Sequence, residues 1–506
     1  MRFHSILFPS AAQQAQAGNC PWLTFRARRT GERERYITRG NKIFPAGKNH
    51  LTNAPETPAF FADTGLDCIL DKVLAGGEEN PLRRAYYALA TDADTVRYRQ
   101  NIMRALEKEE VYALFLPFCR AVDGALRTMA DGQKTPAPAQ ADAYRVSGAL
   151  QYCDAIRELL KAAEGLDIPA DGFNAFVGAL RAYARTPRFT QTETLLRRAQ
   201  EGMEAIAFTL RIRNGRVLVA PGGDGGDFVR ETRGELIRLE DTADTPPRGI
   251  RLFGELALNP LGMQIADALK SSHPEAFALL HKAAAEADGL PEPFIRAFAR
   301  EIYFYDSFLS TVSALRARGL PFAYPALSGG AVRLFGAYDM DLALQQDKVV
   351  QNDCVLSEDE RGIIVTGANH SGKTTYIRAV GQIAALAALG LPVPCAHAEL
   401  PLFSAFFSHF SDAEEGAAQQ GRLKEELLQL QPIVNQAGTG SFALLNEMFS
   451  STTAQDAQAL AAQVIGGLIG GGARVLCVTH NIGEIPRGMV SMAAQVAPGS
   501  HERLFT

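Results

Sequence analysis

Residues 362–376 read GIIVTGANHSGKTTY, an apolar run followed by Gly367, four residues, then Gly372, Lys373 and Thr374. This is a complete G-x-x-x-x-G-K-[ST] phosphate-binding loop, and it dictates a strand before it and a helix after it. The glycines let successive backbone N–H groups turn inward around phosphate oxygens, and the following helix adds the positive end of its dipole. Ile363 to Thr366 supply the buried strand, and the Ala-rich run Thr375 to Leu389 supplies the helix. The loop predicts nucleoside triphosphate binding, with ATP cradled by Gly367, Ala368, Asn369, His370, Ser371, Gly372, Lys373, Thr374 and Thr375. Lys373 is expected on the β- and γ-phosphates as a catalytic cation, and the Thr374 hydroxyl on Mg2+.

With 506 residues and 47% hydrophobic content, the chain can bury a large core divided among roughly three or four domains. No apolar stretch approaches the roughly 20 residues a membrane helix needs, and the N-terminal MRFHSILFPSAAQQ is too short in apolar residues for a signal peptide. A cytoplasmic protein with no membrane partner is expected. Cys20, Cys68, Cys119, Cys153, Cys354, Cys395 and Cys477 are scattered without a C-x-x-C pair and are read as buried or inert thiols in a reducing compartment. The net charge of −5 supplies no global attraction to nucleic acid, so any DNA contact must come from a local basic surface.

One such surface is the arm from Phe25 to His50, rich in arginine and lysine within the N-terminal 1–59 segment. Glu32 and Glu34 interrupt the run, which favours a solvated arm over a phosphate grip. From about 60 to 320 the pattern is mostly helical, with long amphipathic stretches at Asp142 to Gly165 and Phe294 to Leu315. In the latter, Phe294, Phe298, Ile302, Tyr305, Leu309 and Val312 make an apolar stripe suited to core packing. A small β insertion near 205–230 is expected, because Ala207 to Ile212 and Arg216 to Ala220 flank the hairpin signal Asn214-Gly215. The following PGGDGG run lacks the setting of a phosphate site and is assigned no chemistry.

After a break in Gly319 to Gly330, strands and helices alternate through 321–506 as in an α/β nucleotide-binding domain. Ser441 to Leu445 read as a buried strand ending in Asn446-Glu447, and Arg474 to Thr479 as another that delivers His480 to the same sheet edge. An acidic residue at such a strand end holds the metal's water shell and polarises the attacking water, which makes Glu447 and His480 catalytic candidates and places Asn446 and Glu447 beside the metal.

The segments GANHSGKTTYIRAVGQ, LGLPVPCAHAEL, GRLKEELLQL, LLNEMFSSTTAQDA and VTHNIGEI, in this order, resemble the ATPase domain of the MutS family of DNA mismatch-repair proteins. The resemblance implies that Asn369 is the loop asparagine, Glu447 the water-activating carboxylate and His480 the γ-phosphate sensor. It also implies that Asp456 belongs to a loop crossing to a partner subunit, and that Gly421, Arg422 and Glu426 complete that partner's site in trans. Leu82 to Glu107 is similar to the segment that opens the family's helical core. The implied fold is mixed: a mostly α-helical core and lever region, followed by a C-terminal α/β P-loop ATPase domain of ABC/MutS type.

The chain departs from the family in three ways. About 60 residues precede the core, no room for a mismatch-sensing domain, and Phe253-Gly254-Glu255 has the wedge's letters in the wrong place. Asn446 replaces the usual aspartate, and Gly421 the signature serine, which together suggest a slow, switch-like ATPase. The chain stops soon after His480 with no evident dimerising tail, so a homodimer is expected through the ATPase faces. The combined expectation is an ATP- and Mg2+-dependent clamp on double-stranded or branched DNA, binding mainly through backbone phosphates. The alternative is an ATP-gated protein-interaction module or dimer switch without nucleic acid.

Overall fold

Internal contacts sort the residues into two units that interleave in sequence: Met1–Phe3 with Lys108–Ile302, and His4–Glu107 with Tyr303–Thr506. The computed structural model describes residues 3–18, 25–26, 36–39, 42–45, 57–74, 82–206, 208–213, 216–221, 266, 268–411, 419–480, 485–496 and 503–505. Most of the basic arm, the Asn214-Gly215 turn, Gly222 to Gly226, Phe253-Gly254-Glu255 and Cys20 lie outside the described residues.

The second unit begins with α1 (Ala11–Gly18), β1 (Phe25–Arg26), the hairpin β2 (Tyr36–Arg39) and β3 (Lys42–Pro45), and β4 (Thr57–Pro58), which pairs antiparallel with β1. Then come α2 (Ala59–Thr64), α3 (Leu66–Val73), α4 (Arg83–Tyr87) and α5 (Ala93–Leu106). Gly65 joins α2 to α3 at φ 75°, a left-handed conformation that glycine adopts without steric cost. Helix α5 starts where the Asp92 side chain accepts the Thr95 N–H.

The first unit is helical: α6 (Glu109–Lys134), α7 (Pro138–Ala162), α8 (Asp171–Ala184), α9 (Pro187–Glu204), α10 (Pro274–Ala287) and the start of α11 (Pro293–Ala317). Its core is aromatic, with Phe115 stacked on Phe173 and Phe176 on Phe298. The expected insertion is present as β5 (Phe208–Arg213) paired antiparallel with β6 (Arg216–Pro221). Of the α11 stripe, Phe298, Ile302, Tyr305, Leu309 and Val312 are buried, as core packing requires.

From Tyr303 the chain returns to the second unit. It adds β7 (Ala326–Leu327), β8 (Val332–Ala337), α12 (Met340–Gln345), β9 (Asn352–Leu356), β10 (Gly362–Thr366), α13 (Lys373–Ala388), β11 (His397–Leu400) and β12 (Ala405–Phe410). It ends with α14 (Gln419–Gln436), β13 (Ser441–Asn446), α15 (Ala454–Gly470), β14 (Arg474–Val478), β15 (Met489–Val496) and β16 (Arg503–Phe505). Strands β7, β11, β8 and β9 form a small mixed sheet. The main sheet has the order β12-β13-β14-β10-β15-β16, parallel except for β16. Its central strands β13, β14 and β10 are buried along nearly their whole length, as in a parallel sheet covered on both faces. The fold is thus mixed α/β with a parallel sheet, and no described helix is long and apolar enough to cross a membrane.

Helix α13 is buried almost all round, from Tyr376 to Ala388. One side packs on the sheet and another on α2, where Gly381 lies so close to Leu444 and Thr64 that a Cβ would sit 2.5 and 2.8 Å from their methyl groups. Gln382 ties the contact: its Oε1 accepts the Met340 N–H, and its Nε2 donates to Thr64 O and Asp339 Oδ1, all at 2.8 Å. Phe60 of α2 packs edge-on against Phe406 and Phe442, and Ser408 donates to Asp63. At the far end of α13, the buried Arg99 of α5 donates to Leu389 O, Ala88 O and Leu7 O, and the Ala90 N–H bonds Ala388 O. The segment resembling a core opening therefore packs on the unit that holds the phosphate loop.

Among the described cysteines, Cys68 is exposed and Cys119, Cys153, Cys354, Cys395 and Cys477 are buried. Burial pushes the Cys153, Cys395 and Cys477 thiols up to about 12, which keeps them un-ionised and inert.

Candidate functional site

Parallel strands end together, and here their carboxyl edge collects the polar residues. Val365 of β10 and Asn446 of β13 both pair with Val478 of β14, so the phosphate loop, Asn446-Glu447 and His480 leave the sheet from one row. Ligands of open parallel sheets bind outside this edge. The loop turns through Gly367 at φ 138°, His370 at φ 60° and Gly372 at φ 90°, and Gly372 caps α13. Ala368, Asn369 and His370 are exposed at the rim, while Ser371 and Lys373 are buried beneath them.

Lys373 Nζ donates to Gly367 O at 3.0 Å and Ala368 O at 2.8 Å, so the ammonium already spans the mouth of the loop. Desolvation there pulls the Lys373 pKa below the usual lysine range, and the Glu447 carboxylate opposes that shift. Thr374 Oγ1 donates to Asn446 Oδ1 at 3.0 Å, and His480 Nε2 lies 2.9 Å from Glu447 Oε1. Ser371 Oγ is buried without a hydrogen-bond partner. These features fit a triphosphate: N–H groups of a helix start, a desolvated cation and an orphaned hydroxyl surround one cradle. They also fit Mg2+, since Thr374 and Asn446 present neutral oxygen donors to a hard cation that keeps several waters and phosphate oxygens of its own. Among the described residues no group of three His, Cys, Asp or Glu side chains is placed to hold a metal.

The family profile of MutS domain V matches residues 363–496, the stretch that contains the loop, both strand ends and α14. An Endonuclease MutS2 of Geobacillus thermodenitrificans is 26% identical over 320 residues, 63% of this chain and 39% of that protein. Another Endonuclease MutS2, from Solidesulfovibrio magneticus, is 34% identical over 154 residues, 30% of this chain and 20% of its own length. A DNA mismatch repair protein MutS of Lysinibacillus sphaericus is 36% identical over 118 residues, 23% and 14% of the respective chains. Residues 363–496 are thus a MutS domain V.

Matches to these three relatives cover 39% of their length or less. In this MutS domain V, of P-loop ATPase type, Asp456 lies in the first turn of α15, where its carboxylate accepts the Thr453 hydroxyl and its N–H bonds Thr453 Oγ1. Thr453 is the N-cap of α15, its hydroxyl oxygen taking up the Asp456 N–H of the helix's first turn. Gly421 and Arg422 fall in the first turn of α14, and the Arg422 side chain lies outside the described residues.

The turn after β13 holds what the sequence did not signal. Glu447 has φ 53° and Phe449 φ 60°, left-handed values that cost of order 1–3 kcal/mol each for residues with a Cβ. The Glu447 N–H bonds Val478 O at 3.0 Å, and Ser411 Oγ donates to Glu447 O at 3.0 Å. The Phe449 N–H bonds Glu426 Oε1 at 2.7 Å. Ser411, Glu426 and the conformation of Phe449 belong to the site's framework.

Proposed function

We propose that this chain is an ATPase, hydrolysing ATP to ADP and phosphate between two ATPase domains of a homodimer and using the cycle to change its grip on duplex or branched DNA. The observation that carries the reading is the meeting of the Thr374–Asn446 and Glu447–His480 pairs at the carboxyl edge, beside the Lys373-spanned loop. In this reading Lys373 exchanges its two loop carbonyls for β- and γ-phosphate oxygens. Glu447 orients and deprotonates the attacking water, and His480 holds the carboxylate's direction and reads the γ-phosphate.

Thr374, Asn446 and Glu447 would hold Mg2+, Asn446 and Glu447 through its water shell. When bound, the cation supplies charge neutralisation at the phosphate oxygens. Asn446 accepts the Thr374 hydroxyl as an aspartate would but brings no charge, which predicts weak metal affinity and slow turnover.

For DNA, support comes from relatives named as a mismatch repair protein and as an endonuclease. The test is steady-state ATP hydrolysis with and without duplex, mismatched and branched DNA at low and physiological salt, with Lys373→Ala as the blank. DNA-dependent turnover that salt suppresses is the expected result. Turnover indifferent to every DNA would replace the clamp by an ATP-gated protein-interaction module. No turnover above the blank would remove the ATPase reading.

A further inference from the structure

We infer that Glu426 is a positioning residue for Glu447 and acts within its own chain: through the Phe449 N–H it holds the left-handed turn that aims the Glu447 carboxylate. The inference rests on the ATPase reading above for its kinetic consequence.

A carboxylate is rarely this buried without a structural duty, and Glu426 is 9% exposed. Its Oε1 accepts the Phe449 N–H at 2.7 Å and lies 3.3 Å from Nε2 of His409, a residue of β12 that is itself 3% exposed. Glu426 therefore joins three pieces of the unit: α14, the sheet strand β12 and the turn that follows β13.

The turn needs such an anchor. Between Asn446 and Phe449 two residues with side chains stand at positive φ, and an L-residue as bulky as phenylalanine enters that region only when its surroundings hold it there. Three ties do so. The Glu447 backbone is held by Val478 and Ser411, the Phe449 ring is fully buried in a cluster with Leu430 and Leu468, and the Phe449 N–H is held by Glu426. Of these only Glu426 reaches the turn by a side-chain carboxylate, which makes a charge-assisted and therefore short, strong bond. If it were removed, a buried N–H would lose its acceptor and the turn could relax toward ordinary φ, swinging the Glu447 carboxylate away from the water it orients. The resemblance assigned this part of α14 to a partner's site. The Glu426 Oε1 contacts, however, are to Phe449 and His409 of the same chain.

Length and charge separate this role from a general need for a buried anion. Glu426→Gln keeps an acceptor at the right reach without charge, whereas Glu426→Asp keeps the charge but withdraws the acceptor by one methylene. In the full chain, Glu426→Asp and Glu426→Ala should lower kcat about 10- to 100-fold, with KM for ATP within about twofold of wild type. Glu426→Gln should restore most of kcat. A second readout needs no turnover: the imidazole NMR resonances of His480, whose Nε2 contacts Glu447, should move in Glu426→Asp toward their positions in Glu447→Gln. Activity in Glu426→Asp equal to or above that in Glu426→Gln, or kcat and KM worsening together with thermal stability, overturns the assignment. Absence of wild-type turnover above the Lys373→Ala blank would count against the ATPase reading alone. The His480 resonances then decide, and their constancy across Glu426 variants overturns the positioning role.

Discussion

Gly381 offers a direct probe of how α13 is seated. Replacing it by alanine places a Cβ 2.5 Å from Leu444 Cδ1, 2.8 Å from Thr64 Cγ2 and 3.4 Å from Phe60 Cζ. The first two neighbours are fully buried, and the Thr64 hydroxyl is bonded to Phe60 O at 2.6 Å, so neither methyl has free space to retreat into. Overpacking of this kind costs about 1–3 kcal/mol, against about 1 kcal/mol gained from replacing glycine within a helix. The net expectation is a loss of about 1 kcal/mol, a fall of roughly 1–2 °C in Tm for a unit of this size. Gly466→Ala is the internal control: Gly466 lies in α15 of the same unit, exposed, with nothing within 4 Å of its would-be Cβ, and should gain the helix term alone. Melting followed by circular dichroism with both variants measures the difference directly. Because Leu444 lies two residues before Asn446 on β13, the same substitution should also separate Thr374 from Asn446 and weaken Mg2+ dependence. A Gly381→Ala protein as stable as wild type or Gly466→Ala would refute the close-packing argument.

Three further outcomes are expected. Asn446→Asp adds a charge beside Thr374 and should lower the Mg2+ concentration for half-maximal turnover roughly 5- to 30-fold, worth about 1–2 kcal/mol, in a metal titration of ATPase rate; an unchanged midpoint refutes it. Glu447→Gln should reduce kcat about 10²- to 10⁴-fold while ATP binding, read by equilibrium fluorescence with a labelled nucleotide, stays intact. Burial raises the Asp339 pKa, with Arg378 and Gln382 opposing. A folded pKa above the unfolded value means that the group's stabilising contribution is present below the unfolded value and is lost as pH rises through the folded one. Asp339→Asn, which keeps an oxygen for the Asp341 and Leu342 N–H groups, should therefore gain stability relative to wild type as pH rises from about 4; a pH-independent difference in Tm counts against it.

What the sequence made legible follows the range of each signal. The loop from Gly367 to Thr374 announces its own strand and helix, because only glycines and a short apolar run satisfy that geometry, and β10 and α13 lie where it requires. Glu447 and His480 could be placed on one edge because each follows an apolar strand of similar length. Glu426, His409 and Ser411 were not legible as a framework, since nothing in their local patterns says which backbone N–H or carbonyl they will meet. The positive φ of Phe449 has no sequence signal at all: residue type predicts left-handed backbone for glycine and asparagine, not for phenylalanine. The seating of α2 and α5 on α13 depends on partners such as Arg99 and Leu389, 290 positions apart, beyond any periodicity.

That long separation bears on how the protein is made. The unit carrying the phosphate loop is assembled from two stretches of chain, His4–Glu107 and Tyr303–Thr506, with the helical unit's 108–302 emerging from the ribosome between them. Phe60, Thr64 and Arg99 are synthesised long before Phe406, Gln382 and Leu389 exist to receive them, so the early stretch must wait, its apolar face uncovered, until the last third of translation. A fragment starting near residue 321 would lack α2 and α5 and leave the outer side of α13 bare, whereas the two stretches supplied as separate polypeptides carry the complementary surfaces to reassemble.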